Sequence, residues 1–322
     1  RPMMSLPKPS LPPPAPRFLW TARGLVFYVL LVILWGAWVR ISHSGDGCGD
    51  SWPLCNGVVI PEAAPPKTWV EFTHRLMSGA FGLYVLALVI AARKLFAKEH
   101  PVRFWAMASL FFTITEALLG AKLVLFGLVG QDDSVFRAIA MSLHFANSVL
   151  LVVSVTLLAL FAERKEWIRR GTDDAILSAR MQKRLPIVAG VVFLILGMSG
   201  AIAALSTTLF PSLSLLEGFR ADFDAASHFL LRLRTVHPTM GVFAGVGLVL
   251  LFYLASELAP ANETTYRRRS WYVIGIMAVT VVLGSVTLLW LSPIPLKLVH
   301  LCLAHLLGIA LTAWWQSLRY RV

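Results

Sequence analysis

Charge is scarce in this chain. Only 14% of its 322 residues are Asp, Glu, Lys or Arg, 57% are hydrophobic, and the mean hydropathy is +0.71. That balance excludes an ordinary soluble domain and fits a polytopic membrane protein. Acids are scarcer than bases, 17 against 29, so the net charge is +12. A basic excess can signal a nucleic-acid partner. Here the bases fall mostly in short loops between apolar runs, the pattern of cytoplasmic membrane loops, so no nucleic acid is expected. Cysteine is rare too. Cys48 and Cys55 share one loop, and Cys302 lies in an apolar run. A bond between the first two requires that loop to face an oxidising compartment. No A-x-A-like site follows the first apolar run, so no cleavable signal peptide is expected.

Proline concentrates at the start. Residues 1–16, RPMMSLPKPSLPPPAP, are expected to form a disordered cytoplasmic tail. After it come eight apolar runs long enough to cross a bilayer: 21–41, 69–92, 103–126, 136–162, 184–206, 229–257, 271–291 and 294–316. Bases crowd the even-numbered loops, with Arg93, Lys94, Lys98 and Arg103 in one and Arg164, Lys165, Arg169 and Arg170 in the next. Both termini are therefore expected in the cytoplasm and the cysteine loop outside.

The chain also repeats. His74-Arg-Leu-Met-Ser-Gly79 in the second run matches His237-Pro-Thr-Met-Gly241 in the sixth. Leu119-Gly120 in the third matches Leu283-Gly284 in the seventh, and Leu143-His144 in the fourth matches Val299-His300 in the eighth. The expected fold class is an all-α polytopic membrane protein. Its eight transmembrane helices form two four-helix bundles related by a pseudo-two-fold axis, 17–162 and 184–322, joined by a cytoplasmic linker at 163–183.

Four histidines occupy matching places: His74, His144, His237 and His300. Each lies one to two turns inside the outer end of an even-numbered span. Two imidazoles per half at one depth, on different helices, meet the requirement for bis-histidine haem ligation. His305 competes with His300, but five residues rotate a helix by about 140° net, so the two cannot serve one haem. The halves differ three positions before the first histidine, where one has Glu71 and the other Arg234. A carboxylate beside one ligand marks that half as the reactive one and Glu71 as a proton acceptor. Arg75 and Arg234 are candidate partners for haem propionates. Glu116 and Lys122 lie within apolar sequence, as a pocket lining or as a local ion pair, and these two roles are left open.

Cys48-Gly-Asp-Ser-Trp-Pro-Leu-Cys55-Asn-Gly, Glu71-Phe-Thr-His74-Arg75 and the later His144, His237 and His300 together resemble the haem A synthase family. The resemblance covers about residues 21–316. It implies a bacterial inner-membrane oxidoreductase that converts a methyl group of haem O to the formyl group of haem A for cytochrome oxidase. It implies that His74 and His144 bracket substrate haem O and that His237 and His300 hold a permanent haem b. It also implies a disulfide between Cys48 and Cys55 that keeps the outer loop over the substrate half. Haem O synthase and cytochrome oxidase assembly factors are the partners it implies, and a homo-oligomer is left open. The competing reading is a dihaem electron carrier without catalysis. Such carriers commonly place two histidines 13 or 14 apart on one helix, and no span here does so. A transporter with repeated halves is the third reading.

Overall fold

The computed structural model describes residues 15–62, 64–164, 166–171 and 173–321. Most of the proline-rich tail, and with it the expectation of disorder there, lies outside the described residues. Among the described residues ten helices run in order: α1 (Pro16–Ile41), α2 (Pro66–Leu95), α3 (Pro101–Leu125), α4 (Val135–Phe161), α5 (Ala179–Leu209), α6 (Leu215–Phe223), α7 (Phe229–Arg234), α8 (Val236–Glu257), α9 (Thr264–Leu289) and α10 (Ile294–Arg319). Among the described residues eight stretches are long and apolar enough to cross a membrane, with α7 and α8 together making the sixth. The chain is a multi-pass, all-helical membrane protein.

Local chemistry sets the helix starts. Pro16, Pro66 and Pro101 each open a helix, where the missing N–H is no loss. Ser134 and Ser178 cap α4 and α5, their hydroxyls accepting from Arg137 N–H at 3.2 Å and Met181 N–H at 3.4 Å. Because Pro16 already starts α1, the tail ends one residue earlier than the sequence suggests. α5 likewise begins at Ala179, inside the segment expected as linker, because Ser178 supplies the cap.

Each half closes a ring of packed helices. α1 packs on α2, α2 on α3, α3 on α4 and α4 on α1; α5 packs on α8, α8 on α9, α9 on α10 and α10 on α5. The two largest apolar clusters among the described residues lie within these rings and share Trp315 at their edges. One is built around Leu25, Val85, Val155 and Phe161, the other around Phe252, Tyr266, Trp314 and Leu318. The halves meet where α4 faces α5 and α10, and where α1 faces α10.

Two features depart from the expected pattern. The segment after α5 is not a plain loop, since α6 forms within it. Ser214 Oγ accepts from Glu217 N–H at 3.2 Å while Glu217 accepts from Leu213 N–H at 3.1 Å. The Ser-x-x-Glu signature of a helix start was there to be read. The linker is also tied down. Arg169 pairs with Tyr320 in an isolated β-bridge, and Arg170 N–H donates to Arg319 O at 2.9 Å. The Arg170 guanidinium, 8% exposed, donates to both Glu263 oxygens at 2.8 and 2.7 Å. The Arg321 guanidinium beside Asp174 holds that carboxyl below the usual carboxylate range.

Removing one partner of a buried bidentate pair strands the other's charge. Glu263→Ala is therefore expected to lower unfolding stability in detergent by about 2 kcal/mol. Trp315 and Trp167 fluorescence during denaturation would read the shift, and an unchanged midpoint would contradict it.

Candidate haem-binding and redox site

The loop between α1 and α2 is pinned to α2 by its own backbone. Cys48 and Cys55 form a disulfide, with Cα atoms 4.4 Å apart. Gly47 presses so close to α2 that a Cβ there would lie 2.5 Å from Lys67 O, which only glycine avoids. Thr68 Oγ1 donates to Gly47 O at 2.7 Å. Glu71, 4% exposed, completes the attachment: its Oε2 accepts from Cys48 N–H at 2.8 Å. Arg75, one turn on, donates to Glu71 Oε1 from Nε at 3.1 Å and from Nη2 at 2.5 Å. Its Nη1 donates to Ser51 O at 2.6 Å and Leu54 O at 2.7 Å. Glu71 and Arg75 thus form a buried pair that holds the disulfide loop down over α2.

Three of the four histidines stack on a neighbouring helix where a glycine leaves room. A Cβ on Gly36 of α1 would lie 2.8 Å from the His74 ring. One on Gly200 of α5 would lie 2.9 Å from the His237 ring, and one on Gly284 of α9 would lie 2.8 Å from the His300 ring. His144 is different. Its Nδ1 lies 3.3 Å from Glu116 Oε1, and that carboxylate also accepts from Asn147 Nδ2 at 2.6 Å and from the Ser148 hydroxyl. Glu116 therefore serves a histidine and not Lys122, whose ammonium sits over the Phe126 ring at 5.9 Å. Asn147 and Ser148 escaped the sequence reading. Their spacing of three and four residues after His144 places them on its face, a signal that was available.

The rings also pair. His237 and His300 face each other with centroids 6.1 Å apart and planes 76° from parallel. His237 Nδ1 is taken up by Leu196 O at 3.0 Å and Ser199 Oγ at 3.2 Å. Nδ1 of His74, His144 and His300 is sealed inside the protein. Among the described residues no protein group hydrogen-bonds Nε2 of any of the four, and none of these nitrogens is sealed. Two imidazoles bound through nitrogen on opposite sides of one metal ion, with bonds of about 2 Å each, put their centroids about 6 Å apart. The His237–His300 pair fits that requirement. His74 and His144 lie within electrostatic reach of one another. Among the described residues no cluster of three or more His, Cys, Asp or Glu could hold a metal ion, so any iron here rests on pairs.

The remaining polar residues have other work. His305 is 2% exposed, contacts Leu301 O through Nδ1 at 2.9 Å and packs on the Phe145 ring. Arg234 binds the Asp222 carboxylate, Phe210 O at 3.3 Å, Ser212 Oγ at 3.1 Å and Gly218 O at 3.1 Å, fastening α6 to α7. Burial pushes the Asp222 carboxyl above its usual range, and Arg234 offsets this in part.

Comparison with known proteins bears on the family of the chain. The COX15-CtaA family, described as cytochrome oxidase assembly protein, matches residues 19–312. A Thermus thermophilus protein named protoheme IX farnesyltransferase is 39% identical over 285 residues, covering 88% of this chain and 45% of that protein. Proteins named heme A synthase match over a shorter region. The Shouchella clausii protein is 43% identical over 134 residues, 42% of each chain. The Geobacillus kaustophilus protein is 38% identical over 141 residues, 44% of this chain and 42% of its own. The chain spans less than half the length of each of these relatives.

The clamp makes a structural prediction independent of chemistry. Glu71→Ala removes the acceptor for Cys48 N–H, whereas Glu71→Gln keeps a carbonyl oxygen there. Hydrogen exchange of residues 46–56 should speed by about tenfold or more in the alanine variant and far less in the glutamine variant. Equal exchange in both variants would contradict the clamp.

Proposed function

The chain belongs to the COX15-CtaA family of cytochrome oxidase assembly proteins, and from that footing we propose that it is a haem A synthase. It oxidises a methyl group of haem O to the formyl group of haem A. One observation carries the reading: His237 and His300 face each other with centroids 6.1 Å apart, their counterparts in the repeat, His74 and His144, lie within electrostatic reach of one another, and one buried acid, Glu71, stands one turn from His74 alone. The proteins named heme A synthase support it. The farnesyltransferase name belongs to a relative of which this chain covers 45%, and nothing at the histidine pairs calls for prenyl transfer.

In this reading the two rings of helices are the pseudo-two-fold-related bundles anticipated from the repeat. His74 and His144 hold substrate haem O in the first half, while His237 and His300 hold haem b in the second. A haem b there would supply one-electron redox chemistry. The protein's own groups do the rest. The glycines beneath His74, His237 and His300 fix ring position, because a ring resting on backbone cannot tilt toward it. Glu116 steadies the His144 ring by a charge contact, its Oε1 lying 3.3 Å from Nδ1. Turning a methyl group and a water molecule into a formyl group releases four protons and four electrons, and the electrons leave to an external electron acceptor. Glu71 is the acceptor for protons. Its Oε1 is occupied twice by Arg75, but Oε2 takes only the Cys48 N–H and keeps a lone pair free. The disulfide loop covers this side and keeps bulk water from it. The loop faces outside, both termini face the cytoplasm, and the protein sits in a bacterial cell membrane.

Two measurements test this. Expressed in a host that makes haem O, the wild-type protein should yield formylated or hydroxymethyl haem in pigment extracts. Glu71→Gln should keep its haem complement yet lose about 100-fold or more in conversion. Full conversion by that variant would remove the assigned role, and a protein that carries haem but converts none would favour the electron carrier. The glycine cradles give a second test. Gly36→Ala should disturb the low-spin spectrum of the first half only, and Gly284→Ala that of the second half only, because each added methyl strikes a different ring. Identical spectral changes in the two variants would argue against two separate pairs.

A further inference from the structure

Arg40 stands half-buried in the last turn of α1, and its guanidinium has no hydrogen bond or ion pair among the described residues. Its Nε is sealed from solvent. A charge left so in a membrane protein is strongly unfavourable unless something pairs with it. Two half-buried arginines at comparable places in the repeat are engaged, Arg75 with Glu71 and the loop carbonyls, Arg234 with Asp222.

The surroundings of Arg40 are cationic. Arg137 of α4 and Lys297 of α10 lie within its electrostatic reach, as does His144. Arg137 is 4% exposed; its Nη1 donates to Gly130 O at 2.9 Å and Asp132 O at 2.5 Å, but its Nε is sealed and unpaired. Asp132 and Asp133 offset the Arg137 charge; neither forms an ion pair with Arg40. Lys297 Nζ donates only to Thr207 O, at 3.3 Å. The three helices α1, α4 and α10 meet one another pairwise, so these cations gather on the seam between the halves.

Register ties this cluster to the histidines. Arg40 is four residues outward of Gly36, the glycine under the His74 ring, and so lies on the same helix face one turn nearer the surface. Arg137 is seven residues before His144 and shares its face two turns outward, about 10 Å along the axis. A flat ligand held between His74 and His144 therefore has its outer edge toward Arg40, with Arg137 beyond.

We propose that Arg40, flanked by Arg137 and Lys297, is the receptor for a propionate carboxylate of the haem held by His74 and His144. The inference rests on the haem reading of that pair and replaces Arg75 and Arg234 in this role, since both already spend their donors within the protein. The guanidinium fork meets a carboxylate with two parallel hydrogen bonds, and partial burial strengthens them. The same contact sets which edge of the haem points outward, and with it which methyl group comes to lie near Glu71.

The test uses the purified full-length protein, carrying whatever haem it acquires on expression, titrated with further ferric haem b or with ferric haem b dimethyl ester. The ester keeps the ring and iron but has no carboxylate charge. The wild-type protein should bind the free acid about tenfold or more tightly than the ester, read from the low-spin absorption band. Arg40→Gln should lose most of that discrimination and Arg40→Lys should retain part of it. If Arg40→Gln does not fold, the wild-type comparison and Arg40→Lys still decide. Equal wild-type affinities for acid and ester, both abolished by His74→Ala, would overturn the inference while leaving the haem site standing. Undiminished discrimination in Arg40→Gln would overturn it too, assigning the carboxylate to another cation. Absence of any His74-dependent uptake would remove the haem reading and this inference together.

Discussion

A buried charge must find its partner inside the protein, because lipid offers none. Glu71 obeys that constraint. It sits 4% exposed near the N-terminal end of a membrane helix, and its partners come from two places: Arg75 one turn along the same helix and the backbone of the disulfide loop. The pair therefore does two jobs at once. It neutralises a charge in an apolar setting, and it fixes the loop over the first half. The loop in turn depends on Gly47, whose missing side chain lets the backbone reach Thr68 and Glu71. Arg234 answers the same need in the second half, with Asp222 and two backbone carbonyls. The two halves solve one electrostatic problem with opposite signs at equivalent positions, and only the first leaves an acid beside a histidine.

The repeat is kept where packing needs it and broken where chemistry would use it. Gly36 and Gly200 occupy equivalent places under His74 and His237, and Gly284 does the same for His300. Gly120, the counterpart of Gly284, touches no ring; Glu116, one turn away, takes up His144 instead. A carbonyl-bound or backbone-stacked imidazole and one facing a carboxylate differ in basicity, so the asymmetry at His144 parallels that of Glu71.

Much of the architecture was legible from the chain, for a physical reason. A bilayer demands apolar runs of about 20 residues, and that demand leaves a plain pattern. All eight spans fall where hydropathy places them, with ends shifted by a few residues wherever a proline or serine sets the true start. The register of the repeat was legible because histidine is rare in such sequence. Side-chain partnering across helices was hidden. Nothing in one dimension says that Arg75 is consumed by Glu71 and the loop, that Glu116 turns to His144 and not to Lys122, or that Arg40 is left without a partner. α6 was missed for another reason. At nine residues it is too short for periodicity to reveal, and only its Ser214–Glu217 start gave notice.

The glycine cradles have a mechanical side. With an imidazole resting directly on the backbone of the next helix, neither helix can slide along the other by even one residue without driving a side chain into the ring. The helix pairs α1–α2, α5–α8 and α9–α10 are thereby keyed like cogs. When the surrounding bilayer thickens or thins, the chain is left to respond by leaning whole bundles, while the spacing at the imidazoles stays as it was.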